Sequence, residues 1–132
     1  MCGDLEDDTR LDDELFARFL ALAKRYGATL PESRRPQRAE PEARHAYMSR
    51  LFSEMLTRAV SDAAACPEGR RTDAIGDQAI VLARLAGFLA GQLPPETDLF
   101  RATVEAMTDG YGEPARRLAK AQGRHDHHHH HH

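Results

Sequence analysis

One segment of the chain, Ile75–Leu93, is apolar on nearly every side and limits what the rest can fold into. Its strongly polar residues are Asp77, Gln78, Arg84 and Gln92. The apolar spacing is helical, and a helix that is hydrophobic all round has to be covered on most of its sides. Because a membrane span needs about 20 residues largely free of charge, the segment predicts a buried helix of a soluble protein.

Helical spacing of apolar residues recurs along nearly the whole chain, and no convincing alternation indicates a strand. The first helix is predicted to begin near Thr9 and the second at Pro41. Pro95 is predicted to open a fourth helix that Gly110 ends, and a short fifth helix is expected over residues 114–122. The sequence therefore predicts an all-α fold, an antiparallel bundle of four main helices plus a short C-terminal helix, with the apolar stripes facing a shared core.

Charge is distributed unevenly along the chain. The first 14 residues carry a net charge of −6 and residues 15–126 carry +3, which together give the overall −3. Because a block of acidic residues usually stays solvated, residues 1–10 are expected to be disordered. Residues 11–122 are long enough for one helical-bundle domain. Residues 123–132 are expected to be a tail, whose last six histidines have the pattern of a purification tag.

The cysteines and the N-terminal sequence suggest a compartment. Cys2 and Cys66 are the two cysteines of the chain. Without a C-x-x-C spacing they indicate neither a zinc framework nor a redox motif, and free thiols suit a reducing cytosol. No apolar run follows a basic start, so the sequence predicts no signal peptide. We expect a cytoplasmic protein that does not enter the membrane.

Small residues follow one side of Ile75–Leu93 at four-residue steps: Ala79, Ala83, Gly87 and Gly91. Each interior glycine costs a helix about 1 kcal/mol relative to alanine, so a close contact with another helix is expected here. That helix belongs either to the same chain or to a second copy related by a two-fold axis. Ala83, Gly87 and Gly91 are therefore candidate partner-binding residues of a homodimer.

Arg84 is the one basic residue of this apolar helix, and Asp77 lies two turns earlier on roughly the same side. A partly buried arginine needs a carboxylate partner, because an unpaired buried charge is costly. Asp77, Glu54 and Glu105 are candidates for that role, and simple exposure of Arg84 along a narrow polar stripe is the other possibility without a ligand. The alternative is a pocket in which Arg84 binds an anionic or apolar ligand, as in a helical sensor.

Glu42 and His45 have the E-x-x-H spacing, which places two potential metal ligands on one face of a helix. A complete site of this type needs further glutamates and normally a second E-x-x-H, and the sequence has no second one. A metal-binding bundle that uses Glu42 and His45 is therefore the weaker alternative. No cofactor is expected.

Other chemistry has less support in the sequence. The chain has neither a G-x-S-x-G nucleophile turn nor a glycine-rich phosphate loop after a strand, which favours a non-enzymatic role. Basic clusters occur, chiefly in the segment Arg34–Arg38, but no aromatic residues are interleaved with them, so nucleic acid is the less favoured partner. The expected function is a small binding or interaction module. It is expected to act as a homodimer that takes a protein partner or a small ligand.

Overall fold

The computed structural model describes residues 2–30 and 43–129, and within them the side chains of residues 8–30 and 43–123. This part of the chain is helical and has no strand, which confirms the all-α prediction. The helices are α1 (Cys2–Arg25), α2 (Arg44–Ala64), α3 (Arg71–Ala90) and α4 (Leu99–His129). A single 3-10 turn, Pro95–Thr97, precedes α4.

Helix α1 begins at Cys2, earlier than the predicted start near Thr9. The structure thus places residues 2–10 in a helix, whereas the sequence predicts that they are disordered. Acidic side chains near a helix N-terminus interact favourably with the helix dipole, which is a physical reason for the longer helix.

Helix α1 ends in a glycine stop at Gly27. Gly27 has a φ of +84°, in the left-handed region that glycine adopts at low cost. The amide of Ala28 donates to the carbonyl of Ala23, and the amide of Gly27 donates to the carbonyl of Lys24, each at 3.0 Å. These two bonds are the Schellman arrangement, which satisfies the last carbonyl groups of a helix.

Helices α2 and α3 follow the predicted order with small shifts of their ends. The predicted start of α2 at Pro41 lies outside the described residues, and the helix is described from Arg44. Residues 65–70 connect it to α3, which ends at Ala90, three residues before the predicted Leu93. Shifts of this size are usual for helix ends.

The start of α4 differs from the prediction. Pro95 opens the 3-10 turn and does not open α4. Asp98, with a φ of +53°, then takes a left-handed conformation that a continuous helix does not allow. Helix α4 therefore starts after this residue, at Leu99.

The predicted fifth helix is not present as a separate element, because α4 continues through Gly110 and Pro114. A proline inside a helix removes one backbone donor. Arg116 supplies a donor nearby, since its Nη2 atom lies 2.9 Å from the carbonyl oxygen of Asp109. Gly112 leaves room for this side chain, because a Cβ there would lie only 3.0 Å from Nη1 of Arg116.

Backbone contacts divide the chain into two compact units, Met1–Leu85 and Ala86–His132. The first holds α1, α2 and most of α3, and the second holds the end of α3, the 3-10 turn and α4. Among the described side chains, the buried residues are Ala63 in the first unit and Ala90 in the second. The single domain over residues 11–122 stays a prediction.

The burial predicted for Ile75–Leu93 is not provided by the described part of the chain. Ile75, Ile80 and Val81 are 56 %, 72 % and 62 % exposed. Other large apolar side chains of α2 and α4 are exposed as well. Apolar spacing therefore identifies the helices correctly, but the cover expected for their apolar sides is absent from the described residues.

Candidate functional site

A groove of about 380 Å³, open to solvent, lies between α2 and α3 in the first unit. We call it the α2–α3 groove. Its apolar lining residues are Met55, Ala59, Val81, Leu82 and Leu85, and its polar ones are Arg58, Asp62, Asp77 and Gln78. Small-molecule sites in proteins have volumes of about 300–1,000 Å³ and are mostly apolar with a few polar groups. The groove has the size and composition of such a site.

One hydrogen bond joins the two helices at the groove. The side-chain Nε2 of Gln78 donates to the carbonyl oxygen of Ala59 at 3.2 Å, and both residues are half-buried. Ala63, one turn further along α2, is buried. The small alanine side chains let the helices approach closely enough for this bond. It engages the amide nitrogen of Gln78 and leaves the amide oxygen as an acceptor.

Two of the three charged side chains that line the groove form an ion pair, and the third has no such partner among the described residues. Arg58 lies on α2 with Asp62 one turn later, and its Nε atom is 3.5 Å from a carboxylate oxygen of Asp62. Asp77, on α3, has no ion-pair partner among the described residues. With one arginine and two aspartates, the lining carries a net charge of −1.

Arg84 lies outside this lining and is exposed on α3. None of its predicted carboxylate partners forms an ion pair with it. Glu54 pairs with Arg50 at 3.0 Å, and Glu105 pairs with Arg101 at 3.3 Å. The structure therefore brings Asp77 to the groove and leaves Arg84 beside it. A ligand site at Arg84 stays a prediction.

The small-residue side of α3 is open within the described structure. Ala83, Gly87 and Gly91 are exposed, and a Cβ added to Gly87 would meet no atom within 4 Å. A Cβ on Gly91 would meet only the carbonyl oxygens of Gly87 and Phe88, at 3.5 Å. Within the unit Ala86–His132, no described helix therefore makes the close approach that the sequence suggests for Gly87.

Helix α2 carries a second exposed apolar surface, which we call the α2 ridge: Phe52, Leu56 and Val60. These side chains follow one another at four-residue steps and are 66 %, 53 % and 62 % exposed. They do not line the α2–α3 groove. The sequence predicts that the apolar stripes of the helices, this one included, face a shared core. A signal in the sequence could have marked it as different, because the adjacent row of Ser49, Ser53 and Thr57 is uncharged.

The metal alternative depends partly on residues outside the described ranges, since Glu42 is not described. His45 is exposed in the first turn of α2. Within the described ranges, no group of three or more histidine, cysteine, aspartate or glutamate residues is placed to hold a metal ion. The basic segment Arg34–Arg38 also lies outside the described residues.

We expect His45→Ala, in protein without the histidine tail, to leave both metal content and melting temperature unchanged. The residue is exposed and lies at the start of α2, so little packing depends on it. Metal analysis and thermal unfolding monitored by circular dichroism measure the two quantities. A loss of bound iron, zinc or manganese on substitution would instead support the metal-binding alternative.

No described helix is long and apolar enough to cross a membrane. Comparisons of the chain with protein-family models, with curated proteins and with solved structures find no match.

Proposed function

We propose that this chain is a non-enzymatic helical interaction module that works as a homodimer. In this proposal α2 and α3 pack antiparallel, and a second copy completes a helical bundle over their exposed apolar sides. The half-buried free thiol of Cys66 is compatible with a reducing compartment, and we propose that the module acts in the cytoplasm.

The exposure of large apolar side chains is the observation that carries the proposal. Within the described ranges, the two buried residues are alanines, whereas the α2 ridge and Ile80 are more than half exposed. Burial of apolar surface is the dominant favourable contribution to folding, and it has to offset the conformational entropy of the chain. Large exposed apolar patches on a soluble protein typically mark interaction sites. A partner surface is therefore needed to complete the structure.

A second copy fits that requirement better than an unrelated partner does. The open backbone at Gly87 allows a like helix to approach, and a two-fold axis would give each copy the same contact. The α2 ridge is a charge-free apolar strip that a second copy can also cover. The rival role, a sensor for an anion at Arg84, has less support, because Arg84 lies outside the groove.

Sedimentation equilibrium of the chain without its histidine tail tests the proposal. We expect a mass that rises toward twice that of one chain as the concentration increases through the micromolar range, as for a dimer of modest affinity. A chain that stays monomeric at the highest concentrations would contradict the homodimer. A larger, defined oligomer would show that the copies assemble but that a two-copy bundle is wrong.

A further inference from the structure

We propose that the α2–α3 groove binds a small amphiphilic ammonium compound, with its protonated amine at Asp77 and its apolar part along Val81 and Leu85. This goes beyond the homodimer. It also differs from an anion site, because it assigns the opposite charge to the ligand and a different residue to its recognition.

The negative charge of the groove lining favours a ligand with a cationic head group. The charge of Arg58 is balanced by its ion pair with Asp62, so the carboxylate of Asp77 is the charge left without a described partner. The amide oxygen of Gln78 adds a second acceptor, since its amide nitrogen is engaged by Ala59. An ammonium group supplies several N–H donors together with a positive charge, and charge-assisted hydrogen bonds are stronger than neutral ones.

The arrangement of the groove-lining residues along α3 favours a ligand with an elongated apolar part. Asp77, Val81 and Leu85 are one turn apart and all line the groove, so they form a row about 12 Å long on one side of the helix. Met55 and Ala59 line the α2 side. A ligand anchored at Asp77 would therefore place a linear apolar chain between the two helices, where its burial is favourable.

The size of the groove favours a small molecule over a protein segment. Its volume of about 380 Å³ lies near the lower end of the range for small-molecule sites. The α2 ridge and Gly87 do not line it, so substitutions at those positions leave every groove-lining residue in place. The ligand site and the homodimer can therefore be tested separately.

The test compares three probes that share one alkyl chain and differ in the head group: octylammonium, octanol and octanoate. Each is titrated calorimetrically, below the concentration at which it aggregates, into the full chain without its histidine tail. We expect octylammonium to bind about tenfold more tightly than octanol, since one charge-assisted contact is involved. Octanoate should bind most weakly. Equal or tighter binding of octanoate would overturn the proposal.

The residue assignment is tested with a pair of aspartates on the same helix. Asp77→Asn should remove most of the preference for octylammonium over octanol. Asp73→Asn, which removes the same charge one turn earlier and outside the groove lining, should leave it unchanged. Circular dichroism checks that both variants are folded. If both variants lose this preference equally, the preference depends only on the overall charge of the chain, and the assignment to Asp77 is overturned.

A third measurement separates the groove from self-association. The double variant Phe52→Glu/Leu56→Lys changes the α2 ridge and leaves every groove-lining residue in place. It should bind octylammonium as the unaltered chain does, whatever its oligomeric state. Loss of binding in this variant would place the probe on the ridge or at an interface between copies, and would overturn the groove assignment.

Discussion

Phe52→Glu combined with Leu56→Lys should convert the proposed homodimer to a monomer that keeps its helices. The two side chains are 66 % and 53 % exposed in the single chain, so their loss removes little packing within it. On one helix, glutamate followed four residues later by lysine is a stabilising pair. In a dimer, two such pairs would be taken out of water at a cost of several kcal/mol. Each 1.4 kcal/mol changes Kd about tenfold, so we expect at least about 100-fold weaker association.

The matched control for this variant is Ser53→Glu combined with Thr57→Lys. It introduces the same charge pair at the same spacing on α2, one residue further along and beside the ridge, where both side chains are exposed. We expect its Kd to stay close to that of the unaltered chain. Sedimentation and circular dichroism measure association and helix content. If the ridge variant remains dimeric with an unchanged Kd, the ridge lies outside the interface.

Gly87→Leu should weaken the proposed dimer. The same substitution should leave the single chain at least as stable as before. A Cβ at this position meets no atom within 4 Å, so the substitution causes no clash within the described structure. Replacing a glycine inside a helix also raises the helix propensity of the chain. For replacement by alanine the gain is about 1 kcal/mol. Between two close helices, however, a leucine would force the backbones apart, and overpacking costs about 1–3 kcal/mol.

Gly110→Leu is the control for that experiment. Gly110 is also open and lies inside a helix, α4, but it does not belong to the small-residue side of α3. The control should gain the same helix propensity without a change in association. If Gly87→Leu instead lowers the melting temperature and leaves the dimer intact, the small residues pack against a helix of their own chain, and the interface lies elsewhere.

The helices and several of their ends could be predicted because the signals are local. Gly27 ends α1 through its own backbone conformation. The i, i+4 ion pair of Arg50 with Glu54, at 3.0 Å, likewise follows from helix geometry. Pro95 and Gly110 show where local reasoning was insufficient. The left-handed Asp98 delays α4, and α4 continues through Gly110 and Pro114 with the Arg116 side chain bonded to the carbonyl of Asp109.

The candidate site could be predicted only in part, because a groove depends on how two helices face each other. Asp77 stood out as an acidic residue in an apolar helix, and it does line the groove. Gln78 also stood out, as one of the few polar residues of that helix. Arg58 and Asp62 gave no comparable signal, because charged residues on a helix are ordinarily solvated. Periodicity identified the apolar stripe that contains Phe52, but it does not specify which surface, in this chain or another, will cover that stripe.

The continuity of α4 past Pro114 affects what a probe attached near the C-terminus would detect. Helix hydrogen bonding is cooperative along an uninterrupted ladder, and the missing donor of Pro114 breaks that ladder. The turns that follow can therefore unwind while Leu99–Asp109 stays helical. A spectroscopic label or affinity matrix attached through the histidine tail would follow this local fraying, whereas a label on α2 would follow the loss of the whole fold.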